Sequence, residues 1–202
     1  MKKILAFTFA LLMLVSFTAC SDSSPSSLIK RVEHGKINGT TYTNKAANIT
    51  FTSPENWTFA SDSELLSISE TNNHDKLTSE VQIEILNKSG IAFDMMCISS
   101  DDEACSVGIM FVNTDFEEIK DFTFEDILYN MTGGLDVTTT DTSTVTLGDE
   151  EYTKYSISSM SQESGKPIYA AFYGRQEGNI IYIIVASYTD AITDKEIENC
   201  FG

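Results

Sequence analysis

The chain reads as an α+β domain, a twisted antiparallel sheet with amphipathic helices packed on it. Three observations carry that expectation. Four strand-like segments in the second half are joined by short turns at Gly148-Asp149, Ser164-Gly165 and Glu177-Gly178-Asn179, and short turns require antiparallel neighbours. Ile180-Ile181-Tyr182-Ile183-Ile184-Val185 is apolar on both faces, so material must cover both sides of the sheet. Phe124, Ile127, Leu128 and Met131 fall at i, i+3, i+4 and i+7, the apolar stripe of a helix lying on a sheet.

Taken in order, Val32 to Lys36 reads as a short strand and Asn38-Gly39 as a tight turn. Asn48 to Thr52 alternates and stops at Ser53-Pro54; Trp57 and Phe59 form a second extended piece. Ser63-Glu64-Leu65-Leu66 starts a short helix. Leu77 to Leu86 fits a helix through Leu77, Val81 and Ile85 and a strand through Val81, Ile83 and Ile85; the helix is preferred. Ile91 to Ser99 and Cys105 to Asn113 make a hairpin around Asp101-Asp102-Glu103. Thr123 with Asp126 resembles a capping sequence, and Gly133-Gly134 ends that helix. Val137 to Leu147, Glu151 to Ser159, Ile168 to Tyr173 and Ile180 to Tyr188 form the meander. Thr193 with Glu196 makes a full capping box, and Ile197, Cys200 and Phe201 supply the last helix's apolar face.

The first residues carry a different message. Met1-Lys2-Lys3 is basic, Ile4 to Val15 is an unbroken apolar run, and Phe17-Thr18-Ala19 leads into Cys20. That order is a secretory signal, and its ending at a cysteine resembles the bacterial lipobox, with Phe17 where Leu is usual. The resemblance implies a signal peptide over 1–19, cleavage before Cys20, and diacylglycerol on the Cys20 sulfur. Residues 20–27, the lipidated Cys and Ser21 to Ser27, would form a flexible tether. Residues 28–202 then make one domain, large enough to bury roughly 70% of its unfolded surface. The apolar run falls short of the about 20 residues a span needs, so attachment to the bilayer rests on two acyl chains. The expected place is the extracytoplasmic face of a bacterial cell membrane.

The formal charge is −17, and loss of Lys2 and Lys3 leaves 11 basic against 30 acidic residues, −19. Phosphate polyanions repel such a chain, which argues against nucleic acid as a partner. Five Asn-x-Ser/Thr sites, at Asn38, Asn48, Asn56, Asn87 and Asn130, read as polar surface in a bacterial setting.

The chemistry-bearing residues are sparse. His34 and His74 lie in turn-like stretches without ligand-spaced neighbours and read as surface histidines. There is no His-Glu-x-x-His, no Gly-x-Ser-x-Gly and no Gly-rich phosphate loop. Ser27-Leu28-Ile29-Lys30 matches Ser-x-x-Lys without its companion motifs and sits at the tether junction, a chance match. Asp101-Asp102-Glu103 and Asp149-Glu150-Glu151 lack the spacing of a calcium loop and read as solvated hairpin tips. No metal and no cofactor are expected. Cys97 and Cys105 flank the hairpin tip; centred on Asp101, the hairpin would place them opposite one another, at a separation that suits a disulfide. Reduced buried thiols, or a bridge from Cys200 to either, are the alternatives. Trp57 and the strand tyrosines read as core before they read as a saccharide platform.

Gly39-Thr40-Thr41-Tyr42-Thr43-Asn44, then Ile49-Thr50-Phe51-Thr52-Ser53-Pro54-Glu55-Asn56-Trp57, then Phe93-Asp94-Met95-Met96 and a C-terminal strand-helix resemble lipoproteins of gut Gram-positive bacteria whose domain is PsbP-like. A glycine usual before the Trp is Asn56 here. The resemblance covers nearly the whole chain after the signal, and its motifs are structural. It implies an α/β/α sandwich, a fold also seen in a nuclear-import factor that binds the small GTPase Ran, and members that bind partners and do not turn over substrates. The expected function is that of a non-enzymatic, surface-tethered protein binding an extracellular protein or small ligand. An envelope hydrolase with dispersed catalytic residues and a structural envelope component are the alternatives; the hydrolase requires His34 or His74 to share a pocket with Ser, Asp or Glu.

Overall fold

The computed structural model describes residues 32–202 apart from 70–73, 103, 121, 133–137, 161–166 and 190–191. The signal, Cys20 and the tether lie outside the described residues. In chain order the elements are β1 (Lys36–Asn38), β2 (Thr41–Asn44), β3 (Ile49–Thr52), β4 (Trp57–Phe59), α1 (Asp62–Ile68), α2 (Ser79–Ser89), β5 (Ile91–Ser99) and β6 (Ser106–Asn113). They continue with α3 (Phe124–Thr132), β7 (Thr138–Leu147), β8 (Glu150–Met160), β9 (Pro167–Glu177), β10 (Ile180–Tyr188) and α4 (Asp194–Glu198).

Seven strands form one antiparallel sheet in the order β4-β5-β6-β10-β9-β8-β7. The α+β reading holds, and β10 is central, as its two-sided apolar pattern requires. Ile181, Ile183 and Val185 point to one face; Ile180, Tyr182 and Ile184 point to the other, and all six are buried. Each such side chain contributes about 1.5–3 kcal/mol.

The start of α3 packs on the face that bears Gly174, and α1 and α2 lie against β5. Gly174 explains how α3 comes so close: a Cβ there would stand 2.4 Å from Cδ1 of Phe124, whose ring packs edge-on against Tyr155 at 5.5 Å. The other face is covered as well, as the two-sided pattern of β10 requires. A second antiparallel sheet, β1-β2-β3, lies there together with α4. Phe51 of β3 meets Phe59 edge-to-face at 6.3 Å and Phe201 at 5.1 Å. Arg175 donates through Nη2 to the Ala47 carbonyl at 2.5 Å and stacks on Tyr152 and Tyr182. Lys154, 8% exposed, pins α4 through Asp194 at 2.5 Å and Glu198 at 2.6 Å.

Two local readings shift. The first strand is Lys36–Asn38, and Val32 to Gly35 precede it without strand pairing. The β5–β6 hairpin turns about Asp102 and not Asp101. Asp102 accepts from the Ala104 and Cys105 backbones, at 3.1 Å through its side chain and 2.8 Å through its carbonyl. Ser99 Oγ accepts from the N–H groups of Asp101 and Asp102.

Candidate functional site

That one-residue shift removes the expected disulfide. Cys97 stands opposite Val107, and the Ser99 N–H donates to the Cys105 carbonyl at 2.9 Å, so Cys97 and Cys105 are diagonal neighbours. Diagonal positions on one face are about 7–8 Å apart, too far for a bridge. Cys97, Cys105 and Cys200 are all free thiols. Burial pushes the Cys97 thiol up to about 12 and raises Cys105 and Cys200, so none is a ready nucleophile.

The densest polar constellation surrounds Asp94. In β5 the pairing runs Phe93–Met110, then Met95–Ile109, leaving Asp94 as the extra residue of a bulge. A bulge re-aims its side chain, and here it directs a carboxylate to the edge of the large sheet beyond the end of β4. That carboxylate is fully buried. It accepts from His34 Nδ1 at 2.6 Å, Gln82 Nε2 at 2.5 Å, Asn44 Nδ2 at 2.8 Å, the Gly35 N–H at 3.1 Å and the Tyr42 hydroxyl. Burial first, then the neighbouring Asp94 charge, holds the Tyr42 phenol well above its usual range. Gly35 is where the chain presses on Tyr42: a Cβ would stand 2.2 Å from the ring. One carboxylate therefore joins the approach segment, the small sheet, α2 and the large sheet.

His34 is thus not a plain surface histidine; its side chain is 20% exposed. Its backbone N–H donates to Ser79 Oγ at 2.9 Å. Ser, His and Asp come together, but Ser79 is engaged by the histidine's main chain, and among the described residues no serine hydroxyl bonds the His34 ring. His74 pairs with Glu84 at 3.2 Å on the surface. Asp94 was missed in the sequence because its signal is faint: one carboxylate inside the apolar run Ala92-Phe93-Asp94-Met95-Met96-Cys97.

A separate cleft of about 560 Å³ opens on the helix-covered face, between the start of α3 and the β9–β10 turn. Its apolar lining is Phe122, Phe124 and Ile181; its polar lining includes Asp115, Glu125, Thr153 and Gln176. Asp115 is held by Asn179 Nδ2 at 2.6 Å. Glu125 accepts from the Tyr155 hydroxyl, which lowers the Glu125 pKa, so it is ionised at neutral pH. Among the described residues no group of three His, Cys, Asp or Glu could hold a metal ion, and no helix is long and apolar enough to cross a membrane.

No family model matches the chain, and no curated protein matches it. Solved structures of similar fold include a Bacteroides thetaiotaomicron protein, at 12% identity and TM-score 0.43. That match covers 81% of this chain and 47% of the other, so this chain spans about half that protein's length. They also include the solution structure of cyanobacterial PsbP from Synechocystis, at 8% identity and TM-score 0.44, covering 92% of this chain and 98% of the other.

Proposed function

We propose that this chain is a non-enzymatic lipoprotein, anchored through Cys20 to the extracytoplasmic face of a bacterial membrane, that binds a small extracellular ligand in the cleft beside α3. The cleft carries the reading: its volume falls in the ordinary range of small-molecule sites, and its mostly polar walls enclose the rings of Phe122 and Phe124. The basic-apolar-Cys order of residues 1–20 supports the anchor. Labelling with an alkyne palmitate in a bacterial host tests it: the protein is labelled and the Cys20→Ser variant is not. Equilibrium dialysis against a pooled metabolite and hydrolysate fraction tests the binding. The protein should retain a small molecule that Thr153→Trp, which fills the cleft, no longer retains. Equal retention by both would overturn the site.

The Ser79–His34–Asp94 grouping favours a hydrolase as the second reading. An active-site fluorophosphonate would label Ser79 if that reading were right. The engagement of Ser79 by the His34 N–H makes a structural role the better account.

A further inference from the structure

Resting on that reading of the cleft, we infer that its ligand is a neutral, hydroxyl-bearing saccharide. Three ligand classes can be weighed against the lining. An anion meets Asp115 and ionised Glu125 on the walls, within a chain of net charge −17. Arg175 also lines the cleft, but its guanidinium charge is paired with Glu150 at 3.1 Å, it donates to the Ala47 carbonyl, and it lies over the Tyr152 and Tyr182 rings with only its Nε left unbonded. No cation is therefore offered there to offset the repulsion.

An amine would suit the carboxylates but can only donate. Each carboxylate already accepts a hydrogen bond, from Asn179 or from Tyr155. The Gln176 amide donates one N–H to the Gly178 carbonyl at 3.0 Å, and its second N–H would find no acceptor on an amine. A sugar ring bears hydroxyls that both donate and accept around its rim and presents C–H groups on its faces. That pattern meets all of these groups at once: carboxylates take its protons, the Gln176 amide and the Thr153 hydroxyl serve its oxygens, and Phe122 with Phe124 meets its apolar face. The asymmetry matters because a polar group buried without a partner loses most of the binding gain.

Titration calorimetry of the whole protein with cellobiose, maltose and di-N-acetylchitobiose tests the class, with spermidine and glucuronate as charged controls. At least one neutral saccharide should bind, and Asp115→Ala and Gln176→Ala should each weaken it about tenfold. Gln176 is exposed, so Gln176→Ala should melt unchanged, whereas Asp115→Ala also takes an acceptor from the buried Asn179 amide and should melt somewhat lower. Saccharide binding untouched by either variant would overturn the placement. Binding of spermidine alone, lost in Asp115→Ala, would overturn the saccharide class and leave the cleft as a ligand site. No binding of any probe, together with no retained molecule in dialysis, would overturn both.

Discussion

Replacing Asp94 with Asn tests whether one buried carboxylate holds the small sheet, α2 and the large sheet together. The side chains are nearly isosteric, so packing is left intact and only acceptors are lost. Asp94 Oδ1 takes His34 Nδ1 and Gln82 Nε2; Oδ2 takes Asn44 Nδ2 and the Tyr42 hydroxyl; Gly35 N–H lies near both. Whichever way the amide is turned, its NH₂ confronts at least two donors that had an oxygen. Each buried group left without a partner costs about 1–3 kcal/mol, so the variant should lose about 2–6 kcal/mol. Against a total of about 5–15 kcal/mol, that is a large fraction. At about 2–4 °C per kcal/mol for a domain of this size, the melting temperature should fall by roughly 5–20 °C. Urea unfolding followed by Trp57 fluorescence, with thermal melting alongside, measures it. A fall of less than about 2 °C would refute the reasoning, since it would mean the donors find other acceptors or water.

Gly35→Ala should cost about 1–3 kcal/mol by forcing the Tyr42 ring away from its place, a size effect seen as a lower urea midpoint. Asn56 has φ 65°, a left-handed backbone that glycine adopts freely and Asn tolerates best among the rest. Asn56→Gly should be near neutral, and Asn56→Val should lower the urea midpoint by about 1–2 kcal/mol. Burial lowers the Lys154 pKa, but the Asp194 and Glu198 bonds outweigh it and leave Lys154 raised, and burial foremost raises Tyr42 and Tyr173. Groups raised in the folded state stabilise it fully below their unfolded values near 10, and that stability is lost as pH climbs toward their folded values. Each should remove about 1.4 kcal/mol per pH unit in that window. The Lys154 bonds hold Asp194 low against its burial, so its contribution is lost only as pH falls below about 4. Urea midpoints from pH 3 to 11 should show a plateau with both shoulders, and a midpoint that rises above pH 10 would contradict this. Peptide mass mapping after alkylation under non-reducing, denaturing conditions should find Cys97, Cys105 and Cys200 as thiols; a Cys97–Cys105 linked peptide would contradict the register.

Most of the large sheet was legible because its strands bury both faces or alternate strictly. Ile180 to Tyr188, the Ile91–Asn113 hairpin and the stripe of α3 each state their place in local pattern. The capping boxes at Ser61–Glu64 and Thr193–Glu196 are local chemistry too, and the Thr193–Glu196 box was read directly from the sequence. What escaped depends on distant partners. Lys36-Ile37-Asn38 is exposed throughout, so its pairing with β2 leaves no apolar signature. The role of Asp94 is written in five residues spread from position 34 to 82 and in a bulge that only the pairing with β6 reveals. The hairpin's true centre turned on Asp102's side chain, one residue away from the middle of the acidic tip. The cleft is assembled from four separated stretches, and no one of them carries a motif.

The central claim is that the protein binds a small molecule beside α3, and a thermal-shift panel tests it most directly. The protein and its Thr153→Trp variant are melted with calcium, neutral disaccharides, peptidoglycan fragments, spermidine and glucuronate. A ligand that binds only the folded form raises the melting temperature by mass action. The account expects at least one small organic ligand to raise it for the protein and not for the variant. A well-folded protein that no ligand shifts, or a shift of equal size in both, would contradict it.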